Sequence, residues 1–184
     1  NRVSQIDSGE ERDLIKGDFN NYGFESKWLN KYSIKNLNST FLLGVKFYKS
    51  DNTSRQGPGS NNGNSDFNFY TNDFPNYNNQ SDYRYPNLNI AFFGENLFYL
   101  NDRLSITPGF RIEHIKTESL GSYKKINLDG AGNVILNQTI NNNNIRKRSF
   151  ILLGTGVSYK GPIEIYGNIS QNYRSVTFAD ISII

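Results

Sequence analysis

The chain has 184 residues, 36% of them hydrophobic and 14% aromatic, with a formal net charge of +3 and a mean hydropathy of -0.63. That is a polar composition for a soluble protein with a large core, and no run of about 18 apolar residues exists to form a transmembrane helix. With no cysteine it can hold neither a disulfide nor a thiolate metal site, and the short basic run Arg146, Lys147, Arg148 lacks the extent of a nucleic-acid surface.

Residues 1–17 are polar and irregular and are expected to finish a loop. A first strand is expected over 18–32, with Phe24 and Trp28 on one face and Glu25 and Lys27 on the other. A tight turn at 34–38 leads into a second strand over 39–50. There Phe41, Leu43, Val45 and Phe47 alternate with Thr40, Gly44, Lys46 and Tyr48, a period of two that argues for a half-buried strand. Residues 51–86 are rich in Gly, Ser, Asn and Pro and read as a long loop, with room for extra strand at 66–70.

A third strand is expected over 87–100, with Leu88, Ile90 and Phe92 outward, and a tight turn at Asn101, Asp102 and Arg103. The fourth, over 104–118, sets Leu104, Ile106, Pro108, Phe110 and Ile112 against Ser105, Thr107, Gly109, Arg111 and Glu113. Pro108 has no N–H to give a ladder, so a bulge is expected there. Residues 119–147 read as a second long loop, whose Asp129–Gly130–Ala131–Gly132–Asn133 leaves room for a small hairpin. A fifth strand over 148–160, a turn at Gly161–Pro162 and a sixth strand over 163–178 complete the chain. The 28 asparagines gather in the gaps, where their tolerance of turn conformations suits them.

Tight turns therefore alternate with long polar connections, the pattern of a transmembrane β-barrel of the bacterial outer membrane. Connections this short make the strands antiparallel, and each is long enough to cross a bilayer at a tilt. Six strands are too few to close a barrel, and an open edge is not tolerated in lipid. The chain also shows no signal-peptide pattern. It is accordingly expected to be an internal piece of a longer barrel.

Three stretches resemble a known family. Phe93-Gly94-Glu95-Asn96-Leu97-Phe98 running into Leu104-Ser105-Ile106-Thr107-Pro108-Gly109-Phe110-Arg111-Ile112-Glu113 resembles a hairpin of the TonB-dependent outer-membrane receptors. Tyr166 to Phe178 is similar to a strand of that family ending in R-x-x-x-F. Ser54-Arg55-Gln56-Gly57-Pro58-Gly59-Ser60 with Asp66-Phe67 is similar to loops of the ferric-citrate branch. The resemblance implies a parent barrel of roughly 22 strands whose lumen is stopped by a plug. The plug is not in this sequence, which would cover about a quarter of such a barrel. It further implies import of an iron chelate, such as ferric citrate or a siderophore, powered through contact of the plug with the TonB complex.

Arg55 and Gln56, in the first long loop, and Arg174, on the lumen side of the sixth strand, are candidate ligands for an anionic chelate, since guanidinium forks suit carboxylates. For Arg174 the favoured expectation is to hold the plug through ionic and hydrogen-bond contacts rather than to face the ligand. Arg111 and Glu113 share the lumen face and are expected to neutralise each other or contact the plug. No cofactor is expected. His114 is the single histidine and no strained nucleophile motif accompanies it, so no enzyme is read here. A passive porin or small structural barrel, and a secreted glycan-binding β-protein, are the rival readings.

Overall fold

The computed structural model describes residues 10–61 and 66–173. Those residues form one seven-stranded antiparallel sheet and no helix. The strands are β1 (Asp13–Asp18), β2 (Asn21–Ile34), β3 (Leu37–Pro58), β4 (Ser81–Tyr99), β5 (Leu104–Leu128), β6 (Val134–Lys160) and β7 (Glu164–Ser170). The order is β1-β3-β4-β5-β6-β7, and β2 lies beside β1 on the same edge of β3. The first expected strand is β2, starting at Asn21 and running to Ile34, and a separate strand β1 precedes it. At residues 19–20 the ladder lapses, and the Asn52 side chain takes the Asn20 N–H at 3.2 Å. The piece β1 lies mostly within the expected loop 1–17.

The three tight turns stand where the sequence puts them. Lys35 and Asn36 both have positive φ, 47° and 66°, between the paired Ile34 and Leu37. Two such residues make the hairpin turn whose twist matches that of the strands. At the next turn the Asn101 carboxamide oxygen accepts from the Arg103 and Leu104 amides, both at 2.8 Å. In the third, Gly161 N–H donates to the Ile163 carbonyl at 3.3 Å.

The long connections are shorter than their composition suggests. β3 continues to Pro58 and β4 begins at Ser81, so only residues 59–80 join them. β5 and β6 run on together until a turn at residues 129–133, which makes 119–147 mostly ladder, with Asn141 to Asn144 paired to residues 119–122. Apolar alternation ends well before the hydrogen bonds do. Residues 66–70 are not strand. Pro108 interrupts the β4–β5 ladder between the Glu95–Gly109 and Phe98–Ile106 pairs but shifts no register, so the expected bulge does not form. The one register shift is at Asn127/Leu128. Of the sixth strand, residues 164–170 are β7, and 174–178 lie outside the described residues.

Register and alternation sort the side chains into two faces. One carries cross-strand rows of apolar groups: Trp28, Leu43, Gly94, Phe110, Leu153, and next to it Val45, Phe92, Ile112, Ile151. These are bare; Trp28 is 61% exposed and Leu153 57%. Aromatic contacts tie neighbouring strands on this face, Trp28 edge-on to Phe41 at 5.2 Å and Phe92 to Phe110 at 5.7 Å. Most of the buried strand side chains, Ser50, Asn52, Tyr83, Tyr85, Ala91, Ile115, Thr117 and Ser119, are on the other face, Ser39 near the first tight turn being the exception. With no second layer, a sheet buries one face only by curling toward it. The bare apolar face is the convex one, as in the wall of a barrel.

Candidate functional site

The concave face is polar at the depth where the convex face is apolar. Its centre is Phe93, whose ring lies across Gly44; a Cβ at Gly44 would run into the ring. Lys27 Nζ is 6.0 Å and the Arg111 guanidinium 5.5 Å from the ring centroid, both within reach of its electron-rich face. Arg111 forks onto Glu113 at 3.1 and 3.3 Å, and Glu113 also accepts from the Asn89 amide at 2.8 Å. Lys27 pairs with Glu25 at 2.7 Å, and Lys46 lies across the ladder from Glu25. Three cations thus gather with the acids Glu25, Glu113 and, one row away, Glu95, an arrangement too costly for lipid and natural for a watered or plugged lumen.

Further from the tight turns the same face carries stacked Tyr83 and Tyr85, 5.9 Å apart with their planes at 14°. Tyr83 rests on Gly121, where a Cβ would meet its ring and the Asp82 carbonyl. These tyrosines fell within the expected loop 51–86. Their spacing, aromatic at every second residue, was the available signal.

Arg55 and Gln56 are neighbours in β3 and so point to opposite faces. Arg55 is on the convex side, paired to Asp82 at 3.1 Å and lying 4.9 Å from the Phe69 ring centroid. It borders a groove of about 160 Å³ with Phe69, Gln80, Asp82 and Lys124. Gln56 is on the concave side, where its amide donates to both Asp13 carboxylate oxygens at 3.1 and 2.9 Å. The sequence presented them as one loop pair; the ladder separates them. Arg111 and Glu113 are brought together, and Arg174 lies outside the described residues. His114 is on the convex side, its Nδ1 2.8 Å from Ser149 Oγ.

The connection 59–80 is tied down by named bonds. Arg12 donates to Ser60 Oγ at 2.6 Å and approaches Asp66 at 3.6 Å. Lys124 Nζ donates to the Pro75 carbonyl at 3.1 Å, and Asn137 to the Asn76 side chain at 3.1 Å. Burial, then the charge of Asp13, pushes the Tyr77 phenol up to about 12.

Comparison with known proteins agrees with this geometry. Residues 3–183 match the family model described as TonB dependent receptor-like, beta-barrel. No match is found among curated proteins or among solved structures. The match runs through every strand of the sheet, and the chain belongs to the TonB-dependent receptor family as a stretch of its β-barrel.

Proposed function

We propose that this chain is part of the wall of a receptor that imports an iron chelate across the bacterial outer membrane, with ferric citrate or a siderophore as cargo. The family accounts for the receptor and its outer-membrane setting. The observation that carries the reading is the charged concave wall opposite an apolar convex belt. Among the described residues no cluster of His, Cys, Asp or Glu could hold a metal ion. Iron would therefore be recognised through its anionic chelator, and the inner wall offers cations to it.

In this reading Arg111 and Glu113 face the plug, through which the TonB complex acts. Gln56 approaches the chelate from the lumen side, and Arg174, placed by the sequence alone, is the cationic candidate. Arg55, facing away from the lumen, reaches it only if the mouth rearranges. The test is isothermal titration of the intact receptor with ferric citrate and other ferric chelates. Loss of a charge-assisted contact weakens binding by roughly tenfold or more. Arg174→Ala is expected to do so and Arg55→Ala to leave affinity unchanged. Equal affinity for wild type and Arg174→Ala would remove Arg174 from the site. Binding of no ferric chelate at all would remove the cargo. A passive porin is the second reading, and saturable tight binding of any ferric chelate would exclude it.

A further inference from the structure

The convex face changes character abruptly above its apolar rows. Lys49, Leu88, Lys116 and Lys147 lie in one cross-strand register row. Lys116 and Lys147 are direct partners, and like charges directly opposite each other destabilise a sheet. Lys116 is paired to Glu118 at 2.5 Å. The nearby Asp51 is taken by Arg84. Among the described residues Lys49 and Lys147 have no ion pair, and both are exposed.

The opposite border of the belt is different. Toward the tight turns the convex positions of the strands are Tyr32, Ser39, Phe98, Leu104, Ile106, Val157, Tyr159 and Ile165, none of them charged. One border of the apolar belt is therefore basic and the other neutral. The lysines stand side by side on the lipid-facing wall two rows beyond Val45, Phe92, Ile112 and Ile151, with Phe47, Ile90, His114 and Ser149 between, and Lys49 and Lys147 lack an anion of their own among the described residues.

We propose that the Lys49–Lys116–Lys147 row binds the phosphate headgroups of anionic lipid in the leaflet on the long-hairpin side. The proposal rests on the convex face being the lipid face. Charge complementarity selects the occupant: each lysine near a surface of anionic headgroups strengthens attraction by about fivefold, so three act together at the order of a hundredfold.

The experiment uses the intact receptor, folded into vesicles of phosphatidylcholine or phosphatidylglycerol, with retained lipid counted by native mass spectrometry. Wild type is expected to keep phosphatidylglycerol on the order of a hundredfold over phosphatidylcholine at low salt. K49Q/K116Q/K147Q is expected to lose that preference, and K35Q, altered in a tight turn, to keep it. An unchanged preference in the triple variant, or none in wild type, overturns the proposal. Displacement by soluble glycerol phosphate would make free phosphate the occupant and overturn it too. Should the triple variant not fold, the wild-type preference must still collapse at high salt, where surface charges are screened; a salt-insensitive preference refutes the row. Wild type that inserts into phosphatidylcholine without preference leaves the barrel reading intact, whereas failure to insert into either vesicle overturns both.

Discussion

Replacing Leu153 by Arg tests the assignment of the two faces. Leu153 sits in β6 opposite Phe110, in the row that begins at Trp28 and Leu43, near the middle of the apolar belt. Its side chain is 57% exposed on the convex face, so an Arg there would stand in hydrocarbon. At the bilayer midplane an Arg on the lipid face of a barrel costs about 2–4 kcal/mol. The companion change is Thr107→Arg, on the concave face of β5 opposite Gly156. It shares that face with Arg111, already accommodated there, and should cost less than about 1 kcal/mol. Equilibrium unfolding of the intact receptor in vesicles, followed by gel mobility of the folded form, reads both. Equal losses, or a larger loss for Thr107→Arg, would refute the assignment of the convex face to lipid.

Three further outcomes follow from local geometry. Gly44→Val forces the Phe93 ring off its seat and is expected to cost about 1–3 kcal/mol; adding Phe93→Ala should recover part of that loss in the same unfolding assay. The Asp129 carboxyl is held below its usual value by the Asn133 side chain and the amides of Asn133, Ala131 and Gly132. A lowered folded value means the contribution is present above the ordinary 3.8 and is lost as pH falls through the folded value. Protection of the Ala131 and Asn133 amides against hydrogen exchange should accordingly fall below that pH, and Asp129→Asn should abolish the dependence. For Tyr77 the sign is opposite. Its raised value favours the protonated phenol, so the hydrogen bond between Tyr77 and the Asp13 side chain, which ties residues 59–80 to β1, is complete below pH 10 and fades as pH passes about 12. In the receptor carrying Asp13→Ala, an ultraviolet titration should show this phenol ionising earlier.

How much of this was legible in the sequence depended on what constrains each stretch. Inside the belt, lipid on one side and a polar lumen on the other force strict alternation, so Phe41 to Phe47 and Leu104 to Ile112 announced both strand and face. Above the belt nothing demands apolar groups. The ladder of Asn141 to Asn144 against residues 119–122 is held by backbone bonds that any residue can make, and its asparagines read as loop. Arg55 and Gln56 read as loop for the same reason, although they lie in β3. Taken as loop neighbours they seemed to share a site, whereas strand geometry turns them apart. The charged partners were half legible: Arg111 and Glu113 are two apart and so share a face, but nothing in the sequence brings Asn89 of β4 to Glu113 of β5.

The glycines show how such a wall stays closely packed without a core. Gly44 and Gly94 are cross-strand neighbours one register row from each other's large side chains, on opposite faces. Under Gly44 on the concave face lies Phe93; beside Gly94 on the convex face a Cβ would press on Leu43 at 2.7 Å and Phe110 at 3.0 Å. Each missing side chain makes room for an aromatic from the adjoining strand. On the concave side this keeps Phe93 flat beneath Arg111 and Lys27, which holds the cations in the lumen wall. On the convex side it lets Phe110 fill the belt. Filling either gap would thus cost stability, but only Gly44→Val would also disturb the charged wall and whatever it faces. If Gly94→Val impaired transport as much as Gly44→Val at an equal loss of stability, the two faces would not be the independent surfaces that the alternation of these strands makes them.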